Sequence, residues 1–170
     1  MLKILLCGVI ILASGGLGIL TAQKFTERLR DLEDLKAMVK ILETEMRYKK
    51  DPLPRAFARI AEYKDNRAMD LLWECSQQMQ RSQSIGHCWE LALSAAYENS
   101  CLKENDLIII KDMGLQLGKS NLTGQTAMFS FINDKLNAQI REAEQEKKSK
   151  GKMYKSLGFG IGVMLAIILI

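Results

Sequence analysis

The chain is poor in residues that break helices and in those that most often do chemistry. Of its 170 residues only two are proline, and they sit together at Pro52 and Pro54. Histidine occurs once, at His87, which removes most histidine-based acid–base schemes. The four cysteines, Cys7, Cys75, Cys88 and Cys101, form no C-x-x-C pair. His87 beside Cys88 could supply half of a metal site, but no second pair stands at zinc spacing. No metal and no cofactor is therefore expected, and the cysteines read as small buried hydrophobes. Strand-like alternation is scarce and helix formers dominate, so the fold class is all-α. No basic patch with interleaved aromatics occurs, so nucleic acid is not an expected partner.

Two long runs with little or no charge occupy the ends. Met1–Ala22 carries one lysine, Lys3, and no other charged side chain. Leu157–Ile170 carries none. A helix needs about 20 apolar residues to cross the hydrocarbon core. The first run meets that length. The second is short, but Met153 and Tyr154 extend it and flanking lysines can snorkel. Lys24, Arg28, Arg30, Lys36 and Lys40 follow the first run, and Lys147, Lys148, Lys150, Lys152 and Lys155 precede the second. Positive charge stays on the cytoplasmic side. The expectation is two anchors, residues 1–22 and 156–170, holding a cytoplasmic body of residues 23–155, with both termini pointing outward. The net charge of +4 comes from the membrane-flanking lysines, which makes anionic membrane lipid an expected partner.

Other readings of the ends fit less well. Lys3 and the apolar run could form a cleaved signal peptide, but the run is long, the residues before Ala22 make a poor cleavage site, and basic charge follows at once. Leu5-Leu6-Cys7-Gly8 resembles a lipoprotein site but comes too early to leave an apolar region before it. The sequon at Asn121-Leu122-Thr123 matters only in an exported eukaryotic chain.

The body reads as about six helices with short links, an antiparallel bundle. Phe25, Leu29, Leu32, Leu35, Val39, Leu42 and Met46 form one apolar stripe, which must end before Asp51-Pro52-Leu53-Pro54. A short helix spans about Pro54 to Tyr63. Asp65 or Asn66 caps a third with Met69, Leu72, Trp73, Ser76 and Met79 on one face. Ser84 caps a fourth with Trp89, Leu91, Ala92, Leu93 and Ala96. Asn105 or Asp106 starts a fifth, and Gly118 stops it. Ser120 or Asn121 opens a last long helix striped by Met128, Phe131, Ile132, Leu136 and Ile140. Beyond Arg141 that stripe gives way to Glu142–Lys148, polar all round, expected to be a solvated stalk.

Gly114-Leu115-Gln116-Leu117-Gly118-Lys119-Ser120 follows the apolar Leu107–Ile110 and looks like a phosphate-binding loop. Such a loop needs four residues between its glycines, and here there are three. A nucleotide-binding enzyme at Gly114–Ser120 is thus a poor alternative, since a helix, a glycine stop and a new cap account for the same residues. The carboxylates Asp31, Glu33, Asp34, Glu43 and Glu45 lie on helices with nearby cations and read as a solvated face. No catalytic residue is expected.

Ile41-Leu42-Glu43-Thr44-Glu45-Met46-Arg47-Tyr48 followed by Asp51-Pro52-Leu53-Pro54-Arg55-Ala56 resembles the L-x-T-E-I-x-Y…P-L-x-x-A signature of the stage III sporulation protein AB family. Met46 replaces its usual isoleucine. Trp89, the Leu115–Gly118 segment with Gln125, and Tyr154–Ile170 resemble further family segments in the same order, over essentially the full length. That family resembles the cytoplasmic domain of the inner-membrane platform protein of type II secretion and type IV pilus machines. The resemblance implies a non-enzymatic scaffold of a channel between mother cell and forespore. It also implies a partner, the secretion-type ATPase stage III sporulation protein AA, with other channel subunits and further copies of the chain as additional candidates. A platform of a secretion or pilus system outside sporulation is the alternative.

Glu43, Glu45, Arg47 and Tyr48 flank the first stripe beside the proline turn and are expected to need no internal partner, which makes them the candidate partner-binding surface. In the apolar runs Ser14, Gly18 and Ala22 share one face, as do Gly158 and Gly162. Small residues allow close approach of membrane helices, so these faces are expected to pack on each other or on other subunits.

Overall fold

The computed structural model describes residues 2–48, 51–81, 84–117 and 122–169, with side chains from residue 7 to 168 except 122–123. Every regular element among these residues is helical. In chain order they are α1 (Leu2–Tyr48), α2 (Leu53–Ala61), α3 (Arg67–Met79), α4 (Ile85–Tyr97), α5 (Glu104–Gln116), α6 (Leu122–Glu146), a π-helical turn (Lys147–Gly151) and α7 (Lys152–Leu169).

The boundaries follow from local chemistry. Pro52 takes φ −57° and ψ 137°, and Pro54 sits in the first turn of α2, where a missing N–H costs nothing. The Asn66 side chain accepts from the Met69 N–H at 3.0 Å, and the Ser84 hydroxyl from the His87 N–H at 3.4 Å. Helix α5 starts earlier than Asn105 or Asp106. Glu104 opens it, and the Asp106 carboxylate, three residues in, accepts from the Lys103 N–H at 2.9 Å. An acid in the first turn satisfies an orphan donor and favours the helix dipole. At the other end the Leu117 N–H donates to the Met113 carbonyl at 3.1 Å. Gly118, Ser120 and Asn121, expected as stop and cap, lie outside the described residues.

The chain forms two compact units. Residues 30–140 make up the body. Consecutive helices pack on one another, α2 on α3, α3 on α4 and α4 on α5. Leu32, Leu35, Met38, Val39 and Leu42 of α1 are fully buried. As α1 runs from Lys36 to Arg47, the α6 residues beside it run back from Asn137 to Gln125, so the two are antiparallel. Trp89 is the largest fully buried side chain. Its indole N–H donates to the Ile110 carbonyl at 2.9 Å, and the Phe57 ring lies 5.9 Å away, tilted 56°.

Three expected core positions face outward. Trp73 is 46 % exposed, and Leu91 and Phe131 are exposed too, while Leu71, Cys75, Tyr97 and Phe129 are buried. The cause is angular. Successive residues turn about 100° around a helix. On α6 the buried arc holds Met128, Phe129, Ile132 and Leu136, and Phe131 falls about 100° to one side of Ile132. Helix α3 is packed by both α2 and α4, so its arc is broad, and Trp73 lies just past its edge. Met79, Ala96 and Ile140 are only half-buried.

Residues 1–29 and 141–170 form the second unit. Cys7 meets Ala166, Gly18 meets Gly158, and Phe25 stacks on Tyr154 with centroids 5.9 Å apart. The two strands of helix are therefore antiparallel. Leu12, Leu17, Leu20, Phe159, Ile161, Met164 and Ile167 point outward. By length and composition, two helices are apolar and long enough to cross a membrane. The expected solvated stalk is not solvated all round. Ala143 and Glu146 are buried, and the Arg28 guanidinium, itself 2 % exposed, donates to Glu146 at 2.7 Å. Arg28 stands 118 residues away in sequence, so a local polar pattern could not reveal the pairing.

Candidate functional site

At the end of α1 the Glu43 carboxylate accepts from Lys40 at 3.1 Å and from Arg47 at 2.9 Å. Both pairs lie within one helix. Tyr48 is 77 % exposed. Beside these residues a cleft of about 330 Å³ is lined by Glu43, Met46, Arg47, Gln125, Thr126 and Phe129. Farther along, Lys36, Lys40, Asn133, Asp134 and Asn137 line a more polar one of about 470 Å³.

Glu45 does not match the expectation that it needs no internal partner. Its side chain is largely buried and pairs with Arg59 of α2, which also pairs with Asp51 at 2.7 Å. The two carboxylates, Asp51 first, raise the Arg59 pKa. Arg59 thus ties α1 to the proline turn and α2, and Glu45 is chiefly a structural residue. Arg47 and Tyr48 remain the exposed part of the set, while the Glu43 side chain, held between Lys40 and Arg47, is about as covered as that of Glu45.

Sequence reasoning missed a second polar cluster. Asp31 pairs with Arg67 at 2.9 Å and Asp34 with Lys64 at 2.5 Å. Both carboxylates are buried rather than solvated; of the three neighbouring acids only Glu33 is exposed. The Tyr97 hydroxyl is buried near them, and burial, then Asp31 and Asp34, push its pKa up. This cluster pins α1 to the α2–α3 corner. The signal was the i, i+3 spacing of Asp31 and Asp34, uninformative without the distant partners.

The described residues offer little reactive chemistry. Burial pushes the Cys75 thiol up to about 12 and raises Cys88, so neither is a thiolate at neutral pH. No group of three metal-ligating side chains occurs among the described residues. Leu107–Ile110 belongs to α5, not to a strand. Gly114 lies inside the same helix under the Trp89 ring, where a Cβ would overlap the indole. The strand–loop–helix context of a phosphate loop is therefore missing from the described part of Gly114–Ser120.

In the other unit the small residues come together. A Cβ on Gly18 would sit 2.7 Å from the Tyr154 carbonyl oxygen, and one on Gly158 would sit 2.8 Å from that of Ser14. A Cβ on Gly162 would strike the Ser14 hydroxyl. Ala22 is buried in the same unit.

The model of the stage III sporulation protein AB family matches residues 3–170. The chain belongs to that family. Stage III sporulation protein AB of Bacillus subtilis (strain 168) is 31 % identical over 170 residues, covering 99 % of each chain. A solved structure of stage III sporulation protein AB superposes with a TM-score of 0.67 at 27 % identity, covering 72 % of this chain and 98 % of that one. The family name assigns the chain to sporulation.

Proposed function

We propose that the chain is a non-enzymatic platform of a secretion-like channel in endospore formation. Apolar helices hold it in the mother-cell membrane at both ends, residues 23–155 between them face the cytoplasm, and the chain docks a secretion-type ATPase, stage III sporulation protein AA. Family membership supports the sporulation setting over a secretion or pilus system elsewhere. The observation that carries the docking reading is the end of α1. There Tyr48 stands free in solvent beside a cleft whose charged rim, Glu43 and Arg47, makes ion pairs only within its own helix among the described residues. Exposed tyrosine and arginine are favoured anchors at protein interfaces. The packed helices of residues 30–140 suit the transmission of displacement, because close-packed helices resist compression. The exposed lysines Lys147, Lys148, Lys152 and Lys155 suit the anionic face of a cytoplasmic leaflet.

The full chain in detergent micelles, titrated with the ATPase, tests this reading. Tyr48→Ala combined with Glu43→Lys should weaken binding by roughly tenfold or more, while helicity stays unchanged. Binding that survives the double substitution rules out this surface.

A further inference from the structure

Helices α4 and α5 leave an open groove of about 410 Å³ between them. Its floor is apolar, built from Leu93, Leu107 and Ile108, with Ile108 43 % exposed. At one end Lys111 pairs with Glu90 at 2.9 Å and closes the lip. Elsewhere the lining carries the carboxylates of Glu98 and Glu104, both exposed. The groove therefore offers a greasy slot with negative charge beside it, near the lower end of the size range of binding pockets.

The complementary shape is found on the same chain. Phe131 of α6 projects into solvent, 55 % exposed. One helical turn on, Lys135 lays its ammonium over that ring, 4.4 Å from the centroid. An exposed phenylalanine capped by a cation is the inverse of an apolar slot beside two carboxylates.

We infer that the α4–α5 groove receives α6 of a second copy of this chain, Phe131 entering between Leu93, Leu107 and Ile108 and Lys135 meeting Glu98 and Glu104. Knob and groove lie on different helices of each copy, so two copies can pair reciprocally, or link head-to-tail into rings or rows. Burying the Phe131 ring supplies the apolar area, and the charges set register more than affinity. The contact does not rest on the ATPase-docking surface and can fail or hold independently of it.

Light scattering on the full chain in detergent micelles tests the contact. The mass of wild-type assemblies should rise with concentration beyond one copy. Phe131→Asp and Ile108→Asp, both at exposed positions, should each hold the protein at one copy with helicity intact. Mixed one to one, those two variants should form a dimer, because one retains a groove and the other a knob. Lys135→Glu should weaken association by roughly tenfold, and adding Glu98→Lys and Glu104→Lys should restore it. A wild-type chain that stays single throughout, an Ile108→Asp variant that assembles like wild type, or a mixture that forms no dimer would each overturn the proposal.

Discussion

Glycines in the two units do opposite work. In the body, Gly114 is small so that a large side chain can lie flat on its helix, the Trp89 ring occupying the space of its missing Cβ. In the other unit, Gly18 and Gly158 are small so that two backbones can meet, with no side chain between them. With the apolar ends in a membrane, as proposed, the solvents differ. A body in water gains by removing Trp89, Phe57 and Leu32 from it, at roughly 25 cal/mol per Å² of apolar surface. Apolar helices in lipid gain nothing from that transfer, because the tails are as apolar as leucine, and close van der Waals contact has to serve instead. The outward leucines and isoleucines of α1 and α7 are then ordinary.

Breaking the aromatic core should produce the largest effect. Trp89→Ala removes the buried indole and its hydrogen bond to Ile110, and should cost about 3–5 kcal/mol of body stability, read by denaturant unfolding. Gly114→Ala should fall next, at about 1–3 kcal/mol, and combined with Trp89→Leu it should cost less than the sum of the two single substitutions, because the smaller side chain vacates the ring's space. Gly18→Leu sharpens the contrast. It should separate the two apolar helices, seen as a longer spin-label distance between positions 15 and 160, while the melting of the body stays where it was. A body that melts early in that variant would mean that the units do not stabilise separately.

Alkaline titration gives a smaller, graded effect. The Cys75 thiol is raised from 9.0 to about 12 when folded, chiefly by burial, and Tyr97 is raised as well. Below pH 9.0 both folded and unfolded thiols hold their proton and stability is unaffected. As pH climbs from 9.0 toward about 12, only the unfolded thiol ionises, so stability should fall, at most by about 1.4 kcal/mol per pH unit per group. Thiol reagents at pH 8 should spare Cys75 until the body unfolds. The smallest expected change is Arg67→Ala, whose half-exposed pair with Asp31 should contribute about 1 kcal/mol or less.

Much of this architecture is written locally. The caps at Asn66 and Ser84, the stop before Pro52 and the stripe from Leu29 to Leu42 depend on near neighbours, and the sequence shows near neighbours. The failures share one cause. Glu45 reads as a surface acid because Arg59 lies across a proline turn. Arg28 and Glu146 read as solvated charges because each is the other's distant partner. Phe131 and Phe129 sit two residues apart on one helix, and periodicity alone admits both to the core. The proposed partner surface at the end of α1 rests on a motif legible in the sequence, but its division into a structural Glu45 and an accessible Tyr48 required Arg59 to be in place.

The central claim is that both apolar ends lie in a membrane and the helical body faces the cytoplasm. The exposed Tyr63, replaced by cysteine, gives its most direct measurement, with a membrane-impermeant maleimide applied to intact bacterial cells. The account predicts no labelling beyond that of the parent chain until the cells are permeabilised, and full labelling afterwards. Labelling of Tyr63→Cys in intact cells would contradict it.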